Sequence, residues 1–319
     1  MRRVTVYKLF VDAKTGAPGY TRVDALPPGA AVALGNFDGV HRGHQRLFTV
    51  ARESDCPFSA AWTFTSLAKP ADAVPYLTDT KSKLRLFAAC GLDYAVLEDF
   101  EAVRSQTPAV FAQEYLSRRL RAGSVICGFN FRFGKGGTGD ADTLRAYLAA
   151  VGIPVIIEKP VLWQNRIVSS SAVRSCILDG DMERAGELLG HPFSICFPVV
   201  KGKQLGRTIG IPTINQSFPQ GHIIPESGIY ACTCNVGGDI FLGVANIGVR
   251  PTVTDGHVPV NCETHIIDYS GLLYGKEIQV DFYHRLRDEV RFADVSELKA
   301  QVQKDIEATI RYFEATYGG

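Results

Sequence analysis

The chain has 319 residues, 46% of them hydrophobic and 21% charged, which is typical of a globular protein long enough for two domains. Its 34 basic and 33 acidic residues leave a net charge of +1, so charge provides no basis for binding nucleic acid or an anionic membrane. No apolar run is long enough to span a bilayer, and the first residues lack the apolar core of a signal peptide.

Eight cysteines are scattered along the chain without a Cys-x-x-Cys pair. Cys232 and Cys234 alternate on a predicted strand and therefore share one face. This distribution predicts reduced, mostly buried thiols and, with no targeting segment, a cytoplasmic protein. A redox or zinc role for the cysteines stays open.

Strand-like and helix-like segments alternate over the first half. Strands are predicted at 31–37, 58–64, 94–97, 124–129 and 153–158, and helices at 43–52, 81–89, 108–121 and 140–151. Such alternation predicts an α/β domain with a doubly wound parallel sheet. Sheets of this kind bind ligands at the carboxyl ends of their strands.

The first candidate site is the turn at 35–45, which joins the first of these strands to a helix. Its glycines allow backbone to approach a phosphate, and the helix N-terminus supplies free N–H groups and positive charge. His41 and His44 are three residues apart, so both imidazoles face the same anion. The turn predicts a nucleotide-phosphate site at His41, His44, Gly35, Asn36, Phe37 and Asp38. A surface loop or a histidine pair missing its third metal ligand is the alternative.

Two further segments follow predicted strands in the first half. Residues 128–140 mix aromatic residues with glycines, which suits a loop that stacks a flat ring, although alternating aromatics also occur in ordinary cores. Residues 169–174 place hydroxyl groups at a helix N-terminus, where they act as caps, and Arg174 one turn later could bind a phosphate.

After a predicted helix at 171–189 the pattern changes to short β-like runs separated by glycine and proline turns. These runs lie at 195–200, 229–236, 240–247, 261–267 and 278–283, and they predict a mainly antiparallel barrel or sandwich. A terminal helix presents an apolar stripe from Val295 to Phe313, with a capping box at Asp294 and Glu297. We expect domains at 1–187 and 188–319.

The second candidate site is the glycine-rich segment 202–215. Its glycines predict a loop over phosphates at Gly202, Gly206, Arg207 and Gly210, although a plain glycine turn entering a strand fits the segment equally well. Thr213 and Asn215 face one way on an extended backbone. A hydroxyl and an amide oxygen are suitable ligands for Mg²⁺.

Both halves resemble bacterial bifunctional riboflavin kinase/FAD synthetases. The first half carries Gly-Asn-Phe-Asp-Gly-Val-His-x-Gly-His at 35–44, an Asn-Phe-x-Phe-Gly loop at 130–134 and a Ser-Ser-Ser-x-Val-Arg segment at 169–174. The second half carries the further runs 225–230, 246–252, 263–266, 273–276 and 286–289, with Phe292, and Ile214 replaces the usual alanine.

The resemblance implies a nucleotidyltransferase-like first domain and a kinase barrel as the second. Riboflavin would be phosphorylated to FMN and FMN adenylylated to FAD, with ATP as co-substrate and Mg²⁺ as cofactor. In the first domain, Ser170 and Arg174 would complete the phosphate site of His41 and His44, and Asn130 would lie by the flavin. In the second, Glu263 would be the general base, and Arg287 would close over the flavin from a mobile loop.

Two positions depart from the family pattern. Residues 63–70 lack the histidine of the usual Pro-His-Pro, and Gly137 takes the place of an arginine. These departures leave open a riboflavin kinase whose first domain has lost or changed its flavin chemistry. A non-catalytic regulator that binds flavin or nucleotide is the second alternative. We expect flavins and ATP as partners, without nucleic acid or membrane, and the sequence leaves self-association open.

Overall fold

The computed structural model describes residues 5–65, 74–202, 206, 210–249 and 260–318. The chain forms two compact units, Met1–Ser170 and Ser171–Gly319. The strands of the first unit are β1 (Thr5–Val11), β2 (Pro18–Val23), β3 (Ala31–Leu34), β4 (Ser59–Phe64), β5 (Tyr94–Glu98), β6 (Ser124–Gly128), β7 (Arg132–Phe133), β8 (Gly139–Asp140), β9 (Val155–Glu158), β10 (Leu162–Trp163) and β11 (Arg166–Ile167).

Seven of these strands form one sheet in the order β2-β1-β5-β4-β3-β6-β9. Strands β5, β4, β3, β6 and β9 run parallel, while β1 pairs antiparallel with both β5 and β2. The chain moves outward from β3 to β5 and then crosses to β6 on the other side of β3. The predicted doubly wound α/β domain is confirmed, with its topological switch point between β3 and β6.

The N-terminal hairpin β1–β2 was not predicted, because it is an edge hairpin in which few positions are buried. Val6 and Leu9 are its buried residues, and the rest of β1 and β2 is at least partly exposed. A strand that buries so few residues leaves a weak apolar alternation in the sequence.

The helices are α1 (Arg42–Arg52), α2 (Thr80–Ala89), α3 (Phe100–Val103), α4 (Pro108–Val110), α5 (Ala141–Ala149), α6 (Ser170–Leu178), α7 (Met182–Leu189) and α8 (Val295–Tyr317). The predicted helix at 108–121 is the short α4 followed by a π-helical stretch, Phe111–Arg119. The helix predicted at 171–189 is divided into α6 and α7, because Gly180 takes a left-handed φ of 76°.

The second unit is built on β12 (Phe193–Pro198), β13 (Ile214–Ser217), β14 (Gly228–Val236), β15 (Asp239–Val249), β16 (Val260–Ile266) and β17 (Glu277–Arg287). They form an antiparallel sheet in the order β12-β17-β14-β15-β16-β13. The N–H of Val200 donates to the Asn215 carbonyl at 2.8 Å and so bridges the two edges. This nearly closed barrel confirms the predicted fold class of the second half.

The side chain of Gln216 reinforces that seam between the barrel edges. Its Nε2 donates to the carbonyl oxygens of Phe197 at 2.7 Å and Ile278 at 2.8 Å. Gln216 is fully buried, so these bonds form in the barrel interior. The Val200–Asn215 bridge and the buried Gln216 amide therefore both contribute to closing this seam.

The terminal helix α8 starts at the predicted cap, where Asp294 accepts hydrogen bonds from the N–H groups of Ser296 and Glu297. Ile306 and Ile310 pack against a small core of Ile229, Val244 and Ile267. Val295, at the start of the predicted stripe, is 47% exposed, and the most buried residues of α8 are Asp305 and Thr309. All eight cysteines are free thiols.

Candidate functional site

In the first unit, the turn after β3 bends sharply and leads into α1, which packs against β3, β4 and β6. Phe37, Gly39 and Val40 have positive φ angles of 50°, 83° and 44°. Left-handed backbone costs a non-glycine residue about 1–2 kcal/mol, most of all a β-branched one such as Val40. Such strain is concentrated at binding and catalytic sites, and this turn ends at the histidine that caps α1.

His41 and His44 form a stacked pair at the start of α1. Their ring centroids lie 3.5 Å apart at an interplanar angle of 17°, and the edge of Phe37 supports His44 from below. The Nδ1 of His41 accepts the backbone N–H of His44 at 3.3 Å, so a neutral His41 carries its proton on Nε2.

Electrostatics keep His44 neutral. Burial lowers its pKa well below the usual 6.5, and the positive charges of His41 and Lys83 lower it further. Its Nδ1 is buried without a hydrogen-bond partner among the described residues. The pair therefore offers imidazole N–H donors to an anion, and a bound anion would favour protonation of the imidazoles.

A cavity of about 870 Å³ opens at the carboxyl ends of β3 and β6, at the switch point of the sheet. It gathers most of the site residues that the sequence predicts in this unit. They are Gly35, Asn36, Phe37, His41, His44, Asn130 and Ser170. A cavity of this size is large enough for a nucleotide and a flat second substrate.

Asp38 serves the turn from outside the cavity. Its carboxylate accepts the N–H groups of Leu77 at 2.9 Å and Thr78 at 3.2 Å. Its own carbonyl accepts the hydroxyl of Ser170 at 2.8 Å. Asp38 thus connects the turn to the backbone at Leu77 and Thr78 and to Ser170 at the start of α6. Arg174 lies one turn further along α6, in the second compact unit, and its role stays a prediction.

Lys83 on α2 also contacts this turn, although its sequence position does not predict it. The lysine is 4% exposed, and its Nζ donates to the Asn36 carbonyl at 2.7 Å. The hydroxyl of Thr63 donates to the same oxygen at 2.9 Å. A lysine within a helix carries no sequence signal of burial, so only the fold could reveal it.

Part of the cavity lining is aromatic. Phe129 lines the cavity and is 48% exposed, and the lining also includes Phe64, which contacts Trp62 and Phe100 edge to face. Apolar rings left open to a cavity can accept a flat ligand by stacking. Asn130 lies beside Phe129. Gly137 also lines the cavity, as do Arg104 and Arg132, which are not among the residues predicted from the sequence.

In the second unit, Glu263 lies between two asparagines on neighbouring strands. Asn215 on β13 and Asn246 on β15 are both directly opposite it in the sheet register. Residues directly opposite share a face, so the three polar side chains form a row across β13, β16 and β15. The Oδ1 of Asn246 is buried and has no hydrogen-bond partner within the described residues.

The glycine-rich segment lies close to Thr213 and Asn215. A Cβ on Gly202 would lie 2.6 Å from Cγ of Asn215, so the backbone touches the amide where no larger residue fits. A Cβ on Gly206 would lie 2.3 Å from the Ile211 carbonyl and 3.7 Å from Thr213 Oγ1. Gly210 has a left-handed φ of 81°, and Arg207 lies outside the described residues.

Gly202, Thr213 and Asn215 line a second cavity, of about 390 Å³. Thr264 lines it as well, whereas Glu263 lies on the opposite face of β16 and is absent from its lining. Thr213 and Asn215 supply a hydroxyl and an amide oxygen, which are suitable ligands for Mg²⁺. The described residues contain no cluster of three or more His, Cys, Asp or Glu that could hold a metal.

Arg287 requires a correction, because the prediction that it lies in a loop is wrong. It is the last residue of β17. Its Nε and Nη2 donate to the two carboxylate oxygens of Asp305 at 2.8 and 2.6 Å, and its Nη1 donates to the Asp288 carbonyl at 2.8 Å. This bidentate pair ties β17 to α8, and flavin binding by Arg287 stays a prediction.

The Arg287–Asp305 pair gives a stability prediction. The Asp305 side chain is 5% exposed, so Asp305→Ala leaves a half-buried guanidinium unpaired and should lower the free energy of unfolding by about 3 kcal/mol. The measurement is urea denaturation of the full chain followed by far-UV circular dichroism. Tryptophan fluorescence reports the first unit alone, since both tryptophans, Trp62 and Trp163, lie there. The unfolding midpoint followed by tryptophan fluorescence should therefore not change.

Glu307→Ala, on the same helix, is the matched control. Glu307 forms an exposed ion pair with Arg311 at 3.9 Å, and such pairs contribute little to stability. Equal effects of the two substitutions would contradict a structural role for the buried pair.

Comparisons with known proteins match both units. A riboflavin kinase family model matches residues 189–313, and a FAD synthetase model matches residues 24–172. The chain is 37% identical to the bifunctional riboflavin kinase/FMN adenylyltransferase of Escherichia coli strain K12 over 295 residues, which are 89% of this chain and 93% of that protein. It is 32% identical to the Bacillus subtilis protein of the same description over 294 residues, covering 89% and 92%.

One solved structure extends the similarity. A crystal structure described as a macrolide-efflux protein from Streptococcus pneumoniae superposes with a TM-score of 0.78 at 30% identity, covering 90% of this chain and 95% of that chain. Among the described residues of the present chain, every helix is too short or too polar to cross a membrane.

Proposed function

The chain belongs to the bifunctional riboflavin kinase/FMN adenylyltransferase family, and from that premise we propose how its two units divide the work. The second unit phosphorylates riboflavin to FMN with ATP. The first unit transfers AMP from a second ATP to FMN, giving FAD and pyrophosphate. The observation that carries this assignment is that each unit has its own cavity, the first lined by His41 and His44 and the second by Thr213 and Asn215.

In the kinase reaction, Glu263 acts as the general base. Its carboxylate accepts the proton of the terminal ribityl hydroxyl while the hydroxyl oxygen attacks the γ-phosphorus, and the bond to ADP breaks. Thr213 and Asn215 would hold Mg²⁺, which neutralises charge on the ATP phosphates. Gly202, Gly206 and Gly210 let the backbone lie against those phosphates, and we assign Arg207 to the same segment.

In the adenylyl transfer, an oxygen of the FMN phosphate attacks the α-phosphorus of ATP, and the bond to pyrophosphate breaks. FMN is already a deprotonated nucleophile, so the reaction needs no protein base. His41 and His44 donate hydrogen bonds to the charge that develops on the α-phosphate. Asn130 and the aromatic part of the cavity lining, which includes Phe129, hold the flavin ring.

The remaining assignments follow from the sequence. We place the enzyme in the cytoplasm, with flavins and ATP as its partners and without a nucleic-acid or membrane partner. Self-association is left open. Domain limits at 1–187 and 188–319 put the boundary between the two matched family models.

Chromatography of the reaction products tests the assignment. Purified full-length protein with MgATP should convert riboflavin to FMN and FAD, and should convert supplied FMN to FAD. Formation of FMN without FAD from either substrate would show that the first unit has lost or changed its flavin chemistry. Flavin binding without ATP consumption would favour a non-catalytic regulator.

A further inference from the structure

Lys83 is a buried cation next to the proposed adenylyl-transfer site, and no step of the proposed reaction uses it. Its ammonium group contacts the turn that carries Gly35, Asn36 and Phe37, through the carbonyl of Asn36. Within the described residues, its hydrogen-bond acceptor is the carbonyl of Asn36, and it has no ion-pair partner within 4.0 Å. A lysine is rarely this buried unless a carboxylate pairs with it.

A buried ammonium held by a neutral carbonyl is costly for stability. Desolvation disfavours the charge, and a single peptide oxygen restores only part of the lost hydration. A methionine of similar length would fill the space without that cost. A structural role alone therefore explains the shape of the side chain but leaves its charge unexplained.

The position of the charge indicates what it does. The Asn36 carbonyl belongs to the peptide group whose N–H is that of Phe37. A cation on the oxygen of a peptide group draws electron density from its nitrogen and makes the N–H a stronger donor, as hydrogen bonds in a chain polarise one another. No acceptor for the Phe37 N–H occurs among the described residues, and both Asn36 and Phe37 line the cavity.

We propose that Lys83 is a positioning residue for adenylyl transfer: its ammonium, held on the Asn36 carbonyl, polarises the Asn36–Phe37 peptide and directs positive potential at the transferring phosphate. Lys83 acts through the turn and touches no substrate. The proposal rests on the proposed function of the first unit. It gives the strained turn an electrostatic purpose, since a neutral turn could have been built without burying a charge.

The surroundings of Lys83 agree with this role. Burial lowers its pKa from 10.5 to about 8, while the carboxylates of Asp38 and Asp79 act in the opposite direction. His44 faces it from α1, and His41 stands beside His44. The lysine is therefore charged at pH 7 and becomes neutral as the pH rises through about 8.

The test compares Lys83→Met with Thr63→Val in the full-length protein. Both substitutions remove one hydrogen bond to the Asn36 carbonyl, but only Lys83→Met removes a charge. We expect Lys83→Met to lower kcat for FAD formation from FMN by about tenfold or more, with KM for FMN changed by less than about threefold. Thr63→Val should retain FAD formation within about threefold, and riboflavin phosphorylation should be unchanged in both.

The unfolding midpoint and the pH dependence of kcat/KM distinguish an electrostatic role of Lys83 from a purely structural one. The first unit of Lys83→Met should unfold at the same or higher urea concentration than wild type, as followed by tryptophan fluorescence. The wild-type kcat/KM for adenylyl transfer should fall as the pH rises through about 8, and this fall should be absent in Lys83→Met.

Several outcomes would overturn the proposal. One is wild-type FAD formation by Lys83→Met, and another is an equal loss in Thr63→Val. A third is a loss of activity that merely accompanies a lower unfolding midpoint. A wild-type enzyme that forms no FAD would instead refute the proposed function of the first unit, and the two failures are therefore distinguishable.

Discussion

Glu263→Gln is expected to lower the rate of FMN formation from riboflavin by about 10²- to 10⁴-fold, the usual contribution of a general base. Glutamine keeps the shape of the side chain and its place between Asn215 and Asn246, but it cannot accept the proton of the attacking hydroxyl. The measurement is the rate of riboflavin phosphorylation with MgATP, with FMN and FAD quantified by chromatography.

Two controls accompany the Glu263 substitution. FAD formation from supplied FMN should be unchanged, because it takes place in the other unit. Glu314→Gln, on the exposed side of α8, makes the same chemical change away from both cavities and should leave FMN formation unaffected. FMN formed by Glu263→Gln at the wild-type rate would show that another group, or no group, removes the proton.

The second large effect is expected at His41. His41→Asn should lower FAD formation from FMN by about 10²- to 10³-fold, the usual cost of removing one donor to a developing charge. Asparagine is among the best N-cap residues, so it can still accept the N–H of His44 and begin α1. The imidazole N–H is lost while the helix start is kept.

The readouts for His41→Asn separate chemistry from folding. Tryptophan fluorescence during urea denaturation should show an unchanged first unit, and riboflavin phosphorylation should proceed at the wild-type rate. His41→Ala removes the cap as well, and should destabilise the first unit by about 1 kcal/mol. Normal FAD formation by His41→Asn would mean that the histidine pair does not stabilise the transferring phosphate.

Much of the fold could be predicted because its signals are local. The buried strands of the parallel sheet are continuous apolar runs, and the helices between them carry their own caps, such as Asp140 before α5. The turn at 35–45 could be predicted as a phosphate site because glycines, two histidines and a helix start are adjacent in sequence. The family resemblance then extended the prediction to both units, and the comparisons confirmed it.

What could not be predicted depends on pairs that are distant in sequence. Arg287 and Asp305 are 18 residues apart and meet because α8 folds back on β17. Lys83 meets Asn36 across 47 residues, and its burial cannot be inferred from a helix that is otherwise ordinary. Edge strands such as β2 also escape prediction, because a strand exposed on most positions has little apolar pattern.

The seam of the barrel makes the kinase site sensitive to local unfolding. Asn215 contributes its carbonyl to the Val200 bridge and its side chain to the proposed magnesium site. Within the described residues, Val200 and Asn215 meet in an isolated β-bridge, and such a bridge opens more readily than the continuous ladders elsewhere in the sheet. Each transient opening would displace one of the proposed metal ligands, so the affinity for MgATP and the opening equilibrium of this seam are thermodynamically linked. Binding of MgATP would then favour the closed seam and so stabilise the barrel.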